Sequence, residues 1–324
     1  MKPSFVPSDT IHGLEAYVCP HCRGPLEARP KALGCGSCQK DFPVEEGIAD
    51  FCGGTYYDKF SEKQKLPSDH MLALEDELQG TRARIERFYA PLIARRFRGS
   101  QTRVLDCGCG NGVAVDLLPD LGFETWGVDS SALRKWQWRR CREKRRLALA
   151  NALALPFSDG FFDAVISSGV LEHVGVREFR TPRYSVEPER DQAEQRRRYL
   201  TEILRVVRRG GVIWIDAPNG RFPIDFWHSD DMRGAPRTHS PLEKFLPTSG
   251  EIRRLVDSVG EKISLRFLSP RGRFRFARLG RRWYGKPASA AGRLFFELIA
   301  HRPWTALAGS PLNPYLVAEI LKQG

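Results

Sequence analysis

The sequence lacks any apolar run approaching the ~18–20 residues that a bilayer-spanning helix needs. Its opening residues, MKPSFVPSDT, lack the hydrophobic core of a secretory signal, so neither a membrane span nor export is indicated and a cytoplasmic protein is expected. Acidic side chains are in deficit: 39 Asp+Glu face 51 Lys+Arg, a formal net charge of +12. That imbalance points to anionic partners such as nucleic acid, a phospholipid surface or phosphate-bearing substrates, and is silent about fold. Disorder is excluded by 10% aromatic residues and by apolar segments spread along the chain. The 324 residues suffice for one large domain plus a smaller module, or for two domains.

Four of the eight cysteines form two pairs, Cys19-Pro-His-Cys22 and Cys35-Gly-Ser-Cys38, separated by twelve residues. A Cys-x2-Cys pair sets two thiolates on one tight turn, and two pairs complete the tetrahedral sulfur shell that Zn²⁺ accepts in closed structural sites. Incidental buried thiols are the alternative, and two pairs within about twenty residues speak against it. Gly24 and Gly36, just after the second and third cysteines, suit the turns, where positive φ is often needed. A module of about 40 residues is too small to fold on its own core, so the metal would supply folding free energy and no catalysis. His21 reads as exposed; Cys52 follows the module with no partner at metal spacing, and Cys107, Cys109 and Cys141 read as small core or loop residues. Residues Val18 to Phe51, ending in DFPVEEGIADF, resemble the zinc ribbon that accompanies many methyltransferases.

Residues 56–98 are polar and helix-leaning, with a ragged apolar stripe. A short strand ending at Asp106 then leads through Cys-Gly-Cys-Gly-Asn-Gly112 into the apolar run Val113 to Leu118, which reads as a helix start. Glycines there let a ligand lie against main-chain N–H groups. A second strand, Thr125 to Val128, ends in Asp129, placed to accept both ribose hydroxyls of an adenosine ligand. A third strand near Leu147–Ala150, a fourth from Asp163 with its loop to His173, and a fifth ending at Asp216 follow. A helix from Thr248 or Ser249 to Gly260 precedes strands at Ile263–Leu268 and Tyr315–Leu321.

With the stretches VLDCGCGNG, GVDSS, NALALPF, FDAVISSGVLEHV and LRVVRRGGVIWID in order, the chain resembles a class I S-adenosyl-L-methionine-dependent methyltransferase of the type 11 kind. The dinucleotide pattern G-x-G-x-x-G fits poorly, because Gly108, Gly110 and Gly112 alternate. The resemblance implies an α/β fold, a Rossmann-like sheet of seven strands with an antiparallel edge pair, preceded by a small zinc ribbon. Its expected divisions are a ribbon over 1–54, a helical connector over 55–99 and a methyltransferase domain over 100–324, with a basic insertion at about 269–312. Carried across by motif, Asp106, Gly108, Gly110 and Gly112 would surround the methionine moiety, with Asn111 in the same loop. Asp129 would hold the ribose, with Ser130 beside it. Asn151 and Ala152 stand where the family often has Asp-Ala at the adenine, and an amide oxygen accepts there without charge. Ser168 and Gly169 would line the mouth where cofactor and acceptor meet.

Methyl transfer to a hydroxyl or amine needs alignment and removal of a proton. His228, in the loop after the fifth strand, and His173 are the candidate bases, although lone histidines usually have local roles. That loop also holds Phe222, Phe226, Trp227, Asp230, Asp231 and His239. From Lys262 to Phe296 there are ten Lys/Arg and no Asp/Glu, with Arg271, Arg273, Arg275, Arg278, Arg281 and Arg282 interleaved with Phe274, Phe276, Trp283 and Tyr284. A second run, Arg134 to Arg146, reads as the helix after the second strand, with eight basic residues against Glu143. A solvated face is the ordinary reading of such a run. Arginines among aromatics also suit RNA or an anionic membrane surface, so the 262–304 region is a candidate for peripheral contact at the inner membrane face. The expected function is methyl transfer to a small-molecule, glycan or lipid-linked acceptor. The alternative is a ribosomal RNA or tRNA methyltransferase using ribbon and basic surfaces, and a retained, inactive scaffold is a third reading.

Overall fold

The computed structural model describes residues 13–58, 60, 68–97, 101–179, 184–228, 236–240, 242–260, 262–275 and 285–324. Arg278, Arg281, Arg282, Phe276, Trp283, Tyr284, Asp230 and Asp231 of the sequence reading lie outside them.

Four short strands come first: β1 (Leu26–Arg29), β2 (Ala32–Cys35), β3 (Asp41–Glu45) and β4 (Ile48–Asp50). Helices α1 (Ser68–Arg84) and α2 (Ala90–Arg96) follow, joined by one π-helical turn at Ile85–Tyr89. Then come β5 (Arg103–Cys107), α3 (Val113–Leu117), β6 (Glu124–Asp129), α4 (Ala132–Trp138), β7 (Leu147–Leu149) and β8 (Phe162–Ser168). The hairpin β9 (Val176–Phe179) and β10 (Ser185–Pro188) leads to α5 (Gln192–Val206) and β11 (Val207–Pro218). A two-residue pair, β12 (Ile224–Asp225) and β13 (Arg237–Thr238), precedes α6 (Ser249–Ser258). The last elements are β14 (Ile263–Phe267), α7 (Gly285–Leu298) and β15 (Tyr315–Lys322).

The order β7-β6-β5-β8-β11-β15-β14 is the seven-stranded sheet expected from the sequence. β5 to β8 and β11 run parallel, while β15 runs antiparallel to both β11 and β14. The reversal of strand order at β5 and β8 opens the crevice at their carboxyl ends where ligands of such sheets bind. Central strands are buried on both faces, as in Val104 to Cys107 and Ala164 to Ser167, and read as continuous apolar runs for that reason. The predicted helix cap at Thr248 is present, its side chain accepting the Glu251 N–H at 3.1 Å.

The sheet does not stop at seven strands. β4 pairs in parallel with β7 (Ala49 opposite Ala148), and β1 to β3 continue from it, giving eleven strands in one sheet. The link is packed as well as hydrogen-bonded: Tyr17 stacks on Phe51 and Phe157, at ring-centroid distances of 5.6 and 5.1 Å. Arg23 reaches Glu202 of α5 at 2.7 Å.

The run at 134–146 does not form one helix. α4 ends at Trp138, and a single 3₁₀ turn covers Lys144–Arg146. Nor is the run mainly a free cationic face. Lys135 meets Glu45 at 2.6 Å, Arg139 meets Glu46 at 3.3 Å, Lys144 meets Glu46 at 3.2 Å and Arg134 meets Glu77 at 2.8 Å. Arg146 lies over the Trp126 ring.

Candidate active site and metal centre

The two cysteine turns are built alike. In each, the residue after the second cysteine takes positive φ, Arg23 at 65° and Gln39 at 59°, and donates its N–H to the first cysteine's carbonyl. The left-handed conformation therefore falls one residue after each pair, not on Gly24 or Gly36. Gly24 is needed for space instead, since a Cβ there would lie 2.4 Å from Ser37 Oγ. Cys19 and Cys38 sulfurs stand 3.6 Å apart and those of Cys22 and Cys35 3.4 Å, with all four within 4.8 Å of one another. A tetrahedral Zn²⁺ with bonds of about 2.3 Å sets its sulfurs about 3.8 Å apart, so the donor set fits that ion. The Cys38 N–H donates to the Cys35 sulfur and pulls that thiol down to about 6, while Cys22, which shares a proton with Cys35 across the cluster, is raised to about 12. His21 is exposed and lies beside Lys40, consistent with its expected non-ligand place.

A cavity of about 1900 Å³ opens at the carboxyl ends of the central strands. Its inner wall holds Gly108, Gly110, Asp129, Ser130, Ala152, Ser168 and Gly169. Gly108 has φ 81°, and a Cβ there would strike Val170 at 2.2 Å, so this turn admits glycine alone without rearrangement. Asp129 accepts from the Gly110 N–H at 2.9 Å and the Ser131 N–H at 3.0 Å, which ties the tip of β6 to the glycine loop. Two of its roughly four lone-pair positions are so used, leaving acceptor capacity for a ribose diol. Burial raises the Asp129 pKa, opposed chiefly by Arg134. Asp106 is buried beneath the loop and pushed up to about 7 by loss of solvent, with Arg84 the offsetting cation.

Four predicted cofactor residues stand off this wall: Asp106 beneath the loop, and Asn151, Asn111 and Gly112. Asn151 is exposed and its amide oxygen accepts the Leu153 N–H at 2.9 Å. Asn111 is buried behind the loop, facing a smaller cavity with Asp116 and Cys141, and its amide atoms have no partner among the described residues. Gly112 (φ 78°) packs against Cys141, Trp138 and Leu147.

The floor contains residues that sequence reasoning did not assign to the site. Asp216, at the end of β11, accepts from Ser168 Oγ at 2.9 Å, Tyr315 Oη at 2.6 Å and Arg273 Nη2 at 2.7 Å, and also from Tyr89 Oη. The π-helical turn places Tyr89 there, a common use of such turns. Burial alone would raise Asp216, yet Arg273 holds its carboxyl below the usual range. Arg273 was expected in a basic surface; it is 5% exposed and forms a strut under the cavity. Arg271 pairs with Glu297 at 2.7 Å and Arg266 with Glu319 at 2.5 Å. Arg84 of α1 lines the cavity with a buried Nε that has no partner among the described residues.

His173 and His228 also line the cavity, their rings 5.3 Å apart. His173 Nδ1 lies 2.6 Å from Glu178, which accepts from Tyr57 and Tyr184. His228 Nδ1 lies 2.9 Å from buried Asp225, which Arg237 holds at 3.1 Å. The far wall is apolar: Phe222, Phe226, Trp227, Phe274, Phe295 and Phe296. Arg196 of α5, 1% exposed, holds the loops behind it, donating to the carbonyls of Phe245 at 2.7 Å and Glu172 at 3.3 Å and pairing with Glu251 at 2.6 Å. A charge pattern on one helix gives no sign that an arginine will turn inward in this way.

Residues 105–215 match the family model described as a methyltransferase domain. It is 28% identical over 165 residues to a probable S-adenosylmethionine-dependent methyltransferase of Mycolicibacterium smegmatis, covering 49% of this chain and 54% of that protein. It is 36% identical over 84 residues to an uncharacterized protein of Methanocaldococcus jannaschii, covering 26% of this chain and 35% of that one. The chain thus spans about half or less of the length of these curated relatives. Among solved structures, a TehB-like SAM-dependent methyltransferase from Corynebacterium glutamicum matches with a TM-score of 0.46 and 13% identity, over 79% of this chain and 98% of that one. No helix among the described residues is long and apolar enough to cross a membrane.

Proposed function

We propose that this chain transfers a methyl group from S-adenosylmethionine to a small-molecule, glycan or lipid-linked acceptor with a substantial apolar part. One observation carries the reading. The cavity of about 1900 Å³ has a carboxylate-and-glycine end at Asp129 and Gly110 and an aromatic end at Trp227, Phe274 and Phe295. Pockets for single drug-sized ligands measure roughly 300–1,000 Å³, so cofactor and acceptor have room side by side. Asp129 would hold the ribose, the Gly108–Gly110 turn and Asp106 would lie along the methionine moiety, and Ser168 and Gly169 would stand at the methyl group. The bound cofactor supplies an already activated sulfonium methyl. The chain's task is to align the acceptor and exclude water, with His228 first and His173 second as groups able to take the acceptor's proton. Cys19, Cys22, Cys35 and Cys38 would hold a structural Zn²⁺ that keeps β1–β4 folded on the sheet.

The lipid-linked variant of the acceptor draws on α7. This helix lines the cavity with Phe295 and Phe296 and exposes Leu294 (72%) and Leu298, near exposed Trp304 and Leu312. An amphiphile could leave its tail on that face while its head enters the cavity. RNA is supported less, because the run at 134–146 is largely engaged by Glu45, Glu46 and Glu77. The test is transfer of radiolabelled methyl into cell extract divided into lipid, small-molecule and RNA fractions. Label in the lipid or small-molecule fraction is expected, and label in RNA alone overturns the acceptor class. Calorimetric absence of S-adenosylmethionine binding would overturn the activity itself.

A further inference from the structure

Two histidines and a carboxylate meet at the acceptor end of the cavity, and a proton-removing role needs only one of them. Glu172 is 2% exposed, lines the cavity, and its Oε2 has no partner among the described residues. A native carboxylate oxygen buried in this state calls for a missing partner such as an ion or water. Glu172, His173 and His228 each bring one ligand atom within 4.8 Å of the other two. Both imidazoles are also oriented in the manner of metal ligands: a carboxylate grips Nδ1 of each, Glu178 for His173 and Asp225 for His228. Those carboxylates are themselves fixed, Glu178 by Tyr57 and Tyr184, Asp225 by Arg237 and the N–H groups of Trp227 and His228.

We propose that Glu172, His173 and His228 form a second metal centre, binding a divalent transition-metal ion with Zn²⁺ as the best match to two imidazoles and one carboxylate. Three protein ligands leave a four-coordinate ion one position for water or for an acceptor oxygen, the composition of reactive rather than closed sites. Its use, but not its formation, rests on the methyl-transfer reading. An acceptor hydroxyl set against the ion releases its proton to solvent more readily, so with the ion bound His173 and His228 act as its ligands and no longer as the groups that take the proton. The oxygen then bonds to the methyl carbon as the carbon–sulfur bond breaks, and the sulfur keeps the electron pair.

The test uses the full-length chain without an affinity tag, stripped with chelator and titrated with Zn²⁺ by calorimetry and with Co²⁺ by absorption. Two equivalents are expected. One shows thiolate-to-cobalt charge transfer and the other does not. Glu172→Gln and His228→Ala should each lose the second equivalent, at least tenfold in affinity, and keep the first. A wild-type chain binding one equivalent, or variants that both keep two, overturns the proposal. If a variant fails to fold, the wild-type count and the spectrum of its second equivalent decide. S-adenosylmethionine binding is measured in parallel: its absence beside a second equivalent sinks the methyltransferase reading and leaves the metal centre standing.

Discussion

The two basic segments of this chain, 134–146 and 262–275, are both poor in acidic residues and differ in where their cations end up. In the first, Lys135, Arg139 and Lys144 reach across to Glu45 and Glu46 on the hairpin of β3 and β4. These pairs are partly exposed, Glu45 more than half, so each contributes little alone and together they fasten the cysteine module to the sheet. In the second, Arg273 is sealed against Asp216 with Tyr315 and Ser168 around it, while Arg271 and Arg266 stay at the surface beside Glu297 and Glu319. A run of charge thus states how many cations a segment owns. Their worth depends on depth: solvent screens an exposed pair, whereas a buried pair has given up its hydration, so that removing one partner strands the other charge.

Stripping the proposed Zn²⁺ from the four cysteines should break this contrast most severely. Removal by chelator, or Cys35→Ser, is expected to lower the melting temperature by roughly 10 °C or more, since structural zinc contributes folding free energy. It should also release the 134–146 run from Glu45 and Glu46, read as tighter retention on an anionic heparin column; unchanged retention would count against the fastening role. Next in size is Arg273→Ala, which leaves a buried carboxylate unpaired and should cost roughly 3–5 kcal/mol in denaturant unfolding. Arg271→Ala, removing an exposed partner of Glu297, should cost no more than about 1 kcal/mol. Equal losses for the two would erase the distinction drawn from depth.

The carboxylates permit a pH version of the same comparison. Asp106, raised to about 7 by burial, with Arg84 opposing the shift and Asp129 and Asp216 adding to it as like charges, holds a proton in the folded chain over a range where the unfolded chain is ionised. Between pH about 4 and about 7 the folded state therefore holds the extra proton, and stability should fall as pH rises through that window. Asp106→Asn should flatten the slope. Asp216 has the opposite sign: its depressed pKa contributes stability above the unfolded value near 3.9 that is lost in stronger acid. The smallest effect is expected from Lys135→Ala, about 0.2–1 kcal/mol, measured by thermal melting with and without added salt.

Much of the fold is legible in the sequence because it is written locally. The Cys-x2-Cys spacing brings sulfurs together through single turns, and the glycine loop with Asp129 lies within one strand–helix–strand unit. The capping pair Thr248 and Glu251 announces α6 for the same reason. Asn151 shows where a local reading stops short: its side chain answers to the Leu153 N–H two residues on, and its outward direction follows from that turn. The candidate bases were found as residues, but their carboxylate partners Glu178 and Asp225 come from a hairpin and a two-residue bridge that leave little trace in periodicity.

By itself the sequence pointed to the cysteine module, the succession of strands along the chain and the glycine-rich turn before α3, since each is written in residues a few positions apart; the seven-stranded sheet was implied by the family resemblance. Only the tertiary structure decided that β4 joins β7, that Arg273 lies under the cavity instead of on its rim, and that Glu172, His173 and His228 converge. Those outcomes depend on contacts between residues tens to more than a hundred positions apart. Their energies come from burial and desolvation, which belong to the packed chain and to no segment of it.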